Sequence, residues 1–227
     1  MWREQEAREL AVSRLGLVPY GRALELQERL VRERRAGLVA DQLLLLEHPH
    51  VITMGSCSDA SHVLLDEGER RLVGIELHET GRGGDVTYHG PGQLVGYPIL
   101  DLKPDRKDVH RYIRDLEQTL ILAVSTFGID AARLPGMTGV WVDQEKLAAI
   151  GVRVSSGWIT SHGFALNVAT DLGFFNAIIP CGIRSHGVTS MERLLGREVD
   201  PAEVQDRVID GICRVFDRSW SPAVTDG

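Results

Sequence analysis

The chain has 227 residues, of which 43% are hydrophobic and 25% are charged, and its formal net charge is -7 at pH 7. This acidic balance argues against a general nucleic-acid-binding protein, which would carry a basic surplus. No apolar stretch reaches the ~18 residues that cross a bilayer, and the N-terminal MWREQEAREL lacks the apolar core of a signal peptide.

The hydrophobic pattern predicts few long helices and strands that follow one another in pairs. In chain order it predicts a helix (20–37), four strands (42–48, 51–55, 73–79, 93–100), a helix (108–128), a three-stranded meander (139–169) and a helix from Asp200 to about Phe216. Because strands adjoin strands, we expect an α+β fold with a mixed, mostly antiparallel sheet flanked by helices. Since neither a linker nor a repeat appears, we expect one domain over 1–227 with peripheral termini.

The glycine-rich segment RGGDVTYHGPGQ (82–93) joins two predicted strands. Glycines permit close backbone approach to a ligand, Arg82 is suited to an anionic group, and His89 can exchange a proton. The spacing matches neither a phosphate-binding loop nor a dinucleotide fingerprint. A decorated hairpin loop without a ligand remains an alternative on composition alone.

Lysine is rare in this chain, which has 22 arginines but only Lys103, Lys107 and Lys146. Lys146 opens the apolar strand EKLAAIG (145–151), either as an ordinary surface residue or as an amine held against the core, where it can exchange a proton. His162 interrupts another strand, SHGFALN (161–167), as a structural or a catalytic residue. The residues alone leave both questions open.

Cys181 lies in the apolar hexamer IIPCGI (178–183), as a buried structural thiol or as a nucleophile. Cys57 and Cys213 are expected to be structural. The three cysteines form neither a Cys-x-x-Cys pair nor an even set, so neither a disulfide framework nor a metal site is predicted. We therefore expect a reduced, cytoplasmic protein.

Taken together, several strings resemble one family: RGGDVTYHGPGQLVGYPI, GVWV, KLAAIGVRV, HGFALNV, IIPCGI and GVTS. In this order, over roughly residues 15 to 216, they are similar to the octanoyl-acyl carrier protein:protein octanoyltransferases of lipoate synthesis, also called lipoate-protein ligase B. The stretch MGSCSDAS (54–61) departs from the family's usual arginine-containing sequence, and SM (190–191) replaces a more common SL.

The resemblance implies a fold similar to the catalytic domains of biotin and lipoate ligases, with no cofactor. It implies octanoyl transfer from octanoyl-acyl carrier protein to a lysine of lipoyl domains, in 2-oxoacid dehydrogenases and the glycine cleavage H protein, with neither nucleic acid nor membrane as a partner. Cys181 would be the acyl-thioester nucleophile, and Lys146 would lower the pKa of that thiol and act as acid and base. The implied substrate-binding residues are Arg82, Gly83, Gly84, Asp85, Val86, Thr87, Tyr88, His89, Ala149, Ile150, Gly151, Gly163, Phe164 and Ala165.

The glycines around residues 83–92, with Gly151 and Gly163, would leave room for an acyl chain against backbone. Docking of an acidic carrier protein would use basic surface residues. The candidates are Arg70, Arg71, Arg106, Lys107, Arg111, Arg114 and Arg184. Two alternatives remain: an ATP-dependent lipoate or biotin ligase on the same fold, and an acyl-binding module without catalysis.

Overall fold

The computed structural model describes residues 8–179 and 186–223. Within this part of the chain there are twelve strands and five α-helices. The strands are β1 (Arg8–Leu17), β2 (Asp41–Glu47), β3 (Val51–Met54), β4 (Glu76–Glu79), β5 (Val86–His89), β6 (Gln93–Ile99), β7 (Ala132–Leu134), β8 (Met137–Val142), β9 (Glu145–Val154), β10 (Thr160–Asn167), β11 (Gly187–Val188) and β12 (Arg218–Pro222). The helices are α1 (Tyr20–Arg35), α2 (Glu67–Leu72), α3 (Val109–Ser125), α4 (Met191–Leu195) and α5 (Pro201–Phe216).

Nine strands form the main sheet: eight lie in the order β12-β1-β2-β6-β10-β9-β8-β7, and β11 pairs with β9 outside this order. From β2 to β7 every neighbouring pair is antiparallel, whereas β1 pairs in parallel with both β2 and β12. The two-residue β11 runs parallel to the start of β9, where it pairs with Glu145 and Lys146. The prediction of an α+β fold with a mixed, mostly antiparallel sheet is confirmed.

Helices cover both faces of this sheet, and the central strand β2 shows why. Successive side chains of a strand point to opposite faces. Leu43 and Leu45 therefore pack in the core cluster beneath α3 and α5, while Leu44 and Leu46 pack in a second cluster with α1. A strand buried on both faces reads as a continuous apolar run, as QLLLLEH does.

The strands β4, β3 and β5 form a separate small sheet beside the main one. The strand predicted at 73–79 begins only at Glu76, because the amides of residues 73–75 still donate to carbonyl oxygens of α2, which ends at Leu72. Asp66 accepts a hydrogen bond from the Glu69 amide, and the Glu69 carboxylate accepts one from the Asp66 amide. This capping box fixes the start of a short helix that the hydrophobic pattern does not reveal.

A buried carboxylate joins the ends of the described chain to the main sheet. Asp41, at the start of β2, accepts hydrogen bonds from Arg34 of α1 at 2.7 Å and from Arg218 of β12 at 2.8 Å. Arg8 of β1 lies 3.6 Å from the same carboxylate. Across the described residues, no helix is both long and apolar enough to cross a membrane.

Candidate active site

A cavity of about 460 Å³ opens over β9 and β10, and most of the predicted site residues line it. Its volume is typical of a small-molecule site. The other walls come from the segment 82–87, the turn 136–138 and β11. The predicted residues on its surface are Lys146, Arg82, Gly83, Gly84, Asp85, Val86, Thr87, His89, Ala149, Ile150, Gly151, Gly163, Phe164 and Ala165.

Tyr88 is the predicted substrate-binding residue that does not line this cavity. Its side chain is buried in the cluster of the small sheet, with its ring stacked on Phe174 at 5.4 Å between centroids. Its hydroxyl lies 2.7 Å from His50 Nδ1. Because side chains alternate along a strand, β5 presents Thr87 and His89 to the cavity and Tyr88 to the protein interior.

Arg82 is held by the small sheet. Its guanidinium donates to the Thr53 carbonyl oxygen at 2.7 Å and to Thr53 Oγ1 at 2.9 Å, and a further bond of 3.1 Å reaches the Gly83 carbonyl. The residue is only 7% exposed. These bonds fix the direction of the charged group at the wall of the cavity.

The stretch that departs from the family pattern braces this wall through its backbone. The amides of Gly55, Ser56 and Cys57 donate to carbonyl oxygens of the segment 82–85 at 2.9–3.3 Å. A Cβ at Gly55 would collide with the Gly84 carbonyl oxygen, so only glycine permits this approach. The loop 55–57 is therefore part of the structure that supports the cavity.

Gly163 and Gly151 both line the cavity, and the absence of their side chains also permits close packing of neighbouring groups. A Cβ at Gly163 would collide with the Gly96 carbonyl of the neighbouring strand. A Cβ at Gly151 would lie 3.0 Å from the Gly83 carbonyl. The same Cβ would lie 3.1 Å from Arg82 Cδ, so the Arg82 side chain also uses this space. That the two glycines leave room for an acyl chain stays a prediction.

Lys146 lies at the start of β9, between β8 and β11. Its Nζ is 4.8 Å from the centroid of the Trp141 ring, within the range of a cation–π interaction. The Trp141 ring in turn contacts the His186 ring edge-on, with centroids 5.5 Å apart. The half-buried amine therefore faces the cavity with its position set by an indole.

Cys181 lies outside the described residues, as does Arg184. The residues on either side of the gap, Ile179 and His186, both lie beside a second, more polar cavity, and His186 also lines the first. Of the other two cysteines, Cys57 is exposed and Cys213 is half-buried on α5. Burial raises the pKa of the Cys213 thiol, which is unfavourable for a nucleophile.

Three histidines beside the cavity are buried and neutral. Burial, the largest cause in each case, lowers the pKa of His48 to about 4, of His89 to about 3 and of His162 to about 4. His48 is fully bonded: its Nδ1 lies 2.6 Å from the Val18 carbonyl and its Nε2 lies 2.8 Å from the Tyr97 hydroxyl. His162 has a positive φ of 55° and a buried Nδ1 with no partner within the described residues.

These histidines predict a loss of stability in mild acid. A lowered folded-state pKa means that the unfolded chain binds more protons below its ordinary value of about 6.5. Between pH 7 and pH 5 each of the three should cost about 2 kcal/mol of unfolding free energy. Urea unfolding at both pH values measures this. The decrease in unfolding free energy from pH 7 to pH 5 should be smaller in His89→Gln than in wild type. It should be unchanged in the control His110→Gln, at an exposed position. A wild-type unfolding free energy that is independent of pH in this range contradicts the prediction.

The basic residues predicted for carrier docking are mostly held by intramolecular partners. Arg106 Nη1 lies 2.6 Å from Asp115, and Arg114 Nη1 lies 2.6 Å from the buried Glu117. Glu117 also accepts hydrogen bonds from Arg133 and from the Gly139 amide. Intramolecular partners are present as well for Arg70, Arg71 and Arg111. The positive charge of this set is thus partly offset within the protein.

A family model described as the lipoyl protein ligase A/B catalytic domain matches residues 19–213. The chain belongs to this family. A relative from Rubrobacter xylanophilus, named octanoyltransferase, is 54% identical over 94% of this chain and 96% of its own length. A second octanoyltransferase, from Solibacter usitatus, is 49% identical over 96% of this chain and 98% of its own. The resemblance inferred from the sequence strings is confirmed.

Solved structures of the lipoyl and biotin ligases share this family's fold. A putative lipoate protein ligase from T. acidophilum superposes with a TM-score of 0.78 at 18% identity, covering 96% of this chain and 90% of its own. A biotin protein ligase from Aquifex aeolicus superposes with a TM-score of 0.53 at 15% identity, covering 93% and 69%. The expected similarity of fold to both ligase groups is confirmed.

Among the cavity-lining residues that sequence reasoning missed are Gln93, Asn167 and Trp141. Gln93 opens the apolar strand QLVGYPI, and Asn167 closes the apolar segment FALN. Both are buried. A buried polar residue in an apolar strand is the informative exception to hydrophobic patterning, so that composition was the available signal. In the part of the chain that is described, no cluster of three or more His, Cys, Asp or Glu is placed to hold a metal ion.

Proposed function

We propose that this protein is an octanoyltransferase that acts in protein lipoylation, with octanoyl-acyl carrier protein as the donor and the lysine of a lipoyl domain as the acceptor. Relatives named octanoyltransferase match nearly the whole chain at 49–54% identity. The walls of the cavity are mostly apolar side chains and backbone, which suits an eight-carbon chain, since each buried CH₂ contributes about 0.8 kcal/mol.

We further propose that Cys181 carries the acyl group as a thioester. The observation that carries this proposal is the position of Lys146 on the cavity wall, in contact with Trp141, which contacts His186. His186 is where the described chain resumes five residues after Cys181. A cation near the thiol favours the thiolate, which is the nucleophile.

In the first step the Cys181 thiolate attacks the carbonyl carbon of the donor thioester. A new C–S bond forms, the old one breaks, and the carrier thiol leaves with a proton from the Lys146 ammonium, which becomes a neutral amine. In the second step the acceptor amine attacks the enzyme thioester, a C–N bond forms and the Cys181 sulfur departs. The amine nitrogen loses one proton, which Lys146 in its neutral form takes and returns to the thiol. The amide product is more stable than the thioester, so transfer proceeds forward.

An ATP-dependent ligase on the same fold is the competing function, because a solved structural neighbour is described as lipoate-protein ligase A bound with ATP. The two functions differ in their acyl donor. We expect octanoyl-acyl carrier protein alone to support modification of a lipoyl domain, and octanoate with ATP to support none. Intact-mass measurement of the lipoyl domain after each incubation decides between them. Modification only in the presence of ATP would overturn the proposal.

A further inference from the structure

A continuous chain of hydrogen bonds runs from the His89 ring to the backbone carbonyl of Lys146. His89 Nδ1 lies 2.7 Å from Gln93 Oε1, and Gln93 Nε2 donates to Asn167 Oδ1 at 2.9 Å. Asn167 Nδ2 donates to the Thr189 carbonyl at 2.9 Å, and the Thr189 amide donates to the Lys146 carbonyl at 3.1 Å. The chain thus links two residues of the same cavity wall.

The direction of every bond in this chain is fixed by carbonyl groups, which cannot donate. The Thr189 carbonyl requires the Asn167 NH₂ group, so Asn167 Oδ1 must accept from Gln93. The Tyr88 carbonyl, 3.3 Å from Gln93 Nε2, requires the same orientation independently. Gln93 Oε1 must therefore accept from His89, whose Nδ1 carries the proton.

A neutral imidazole protonated at Nδ1 has a lone pair at Nε2. Burial lowers the pKa of His89 to about 3, so the ring is neutral near pH 7. Within the described residues Nε2 has no hydrogen-bond partner, and it is not among the atoms sealed from solvent. The titratable groups that face the ring are Tyr20, His48, Arg82 and His162. His48 differs in that both of its ring nitrogens are already bonded.

We propose that Gln93 and Asn167 are positioning residues, which hold His89 with Nε2 as a hydrogen-bond acceptor for an N–H of the attacking lysine amine. This rests on the proposed function. The accepted N–H turns the nitrogen lone pair toward the thioester carbonyl, while the proton that leaves still passes to Lys146. The far end of the hydrogen-bond chain bonds the backbone of Lys146. His89, which accepts the N–H, and Lys146, which takes the proton, are therefore held by the same hydrogen-bond network.

The tautomer itself is measured by ¹⁵N–¹H NMR of histidine-labelled enzyme near pH 7. We expect His89, assigned through His89→Gln, to be neutral with its proton on Nδ1. A proton on Nε2, or a charged ring, would overturn the proposed role of His89. This measurement requires no acyl chemistry, so it remains decisive even if the wild type forms no octanoyl adduct, an outcome that would refute the covalent route instead.

The kinetic role is tested by separating the two half-reactions. In Gln93→Met, octanoyl loading of the enzyme should stay within about twofold of wild type. The limiting rate of single-turnover transfer to a lipoyl domain should fall about 10- to 100-fold, because a misdirected nucleophile reacts more slowly by this factor. In the steady state this appears as a lower kcat with KM nearly unchanged. The matched control is Gln42→Met, at another buried glutamine, which is the second residue of β2. Equal losses of loading and transfer would show that His89 contacts the donor or only supports the fold, and would overturn the proposal.

A second variant tests the same role through its pH profile. Gln93→Glu keeps an acceptor for the His89 Nδ1 proton, loses the donor to Asn167 and to the Tyr88 carbonyl, and places a carboxylate that favours the imidazolium. Relative to its own value at alkaline pH, transfer by this variant should fall as the pH decreases, because imidazolium has no lone pair at Nε2. The fall should be steeper than the one that protonation of Lys146 and of the acceptor amine produces in wild type. A Gln93→Glu profile that is parallel to wild type over the whole pH range contradicts the proposed role.

Discussion

Cys181→Ser is expected to abolish the octanoyl adduct of the enzyme and to lower transfer to the lipoyl domain by about 10³-fold or more. A serine hydroxyl is not ionised near neutral pH, whereas a cysteine thiol is partly present as the more nucleophilic thiolate. Intact mass after incubation with octanoyl-acyl carrier protein should show one added octanoyl group on wild type, removable by hydroxylamine. The variant should show none.

The chain supplies two control cysteines for this experiment. Cys57→Ser replaces an exposed thiol in the bracing loop, and Cys213→Ser replaces a half-buried thiol on α5. Both variants should retain the adduct and most of the activity. Near-wild-type transfer by Cys181→Ser would refute a thioester relay, whatever the result for the controls.

Lys146→Arg is expected to separate the charge of the side chain from its ability to exchange a proton. A guanidinium can stack on the Trp141 indole and still favour a nearby thiolate, but it does not deprotonate. The octanoyl adduct should therefore form in part, whereas transfer to the acceptor amine should fall by about 10²-fold or more, as expected for loss of a general base.

Two measurements make this result interpretable. Adduct formation and single-turnover transfer are followed separately by mass spectrometry, and Lys107→Arg, at an exposed lysine, serves as the matched control. Turnover of Lys146→Arg equal to that of Lys107→Arg would show that positive charge alone suffices. In that case the base must be sought among the other residues of the cavity.

The elements that the sequence predicts correctly are those marked by many buried apolar residues or by capping residues close together in the chain. The run QLLLLEH is buried on both faces of the sheet, and the N-caps of α3 and α5, Asp108 and Asp200, directly precede their helices. By contrast, β1 was missed because only Leu10 and Val12 in its ten residues are buried apolar side chains. It is a strand because β2 and β12 pair with it, and β12 lies some 200 residues away.

The same distinction applies to the site. Arg82, Lys146 and the segments around them belong to sequence strings that can be matched one by one. The bonds from Gln93 to Asn167 and from Asn167 to Thr189 join residues 74 and 22 positions apart, and only the folded sheet brings them together. Tyr88 was included with its neighbours because a string match ignores the alternation of side chains along a strand.

The loop 55–57 has a consequence for how freely its sequence can drift. It supports the cavity wall with three main-chain amides, and every residue type except proline provides one. Side chains at positions 56 and 57 should therefore be nearly interchangeable. Replacement of the family's usual arginine-containing stretch leaves these three hydrogen bonds in place. Gly55 is the exception, since its missing side chain is what lets two backbones touch.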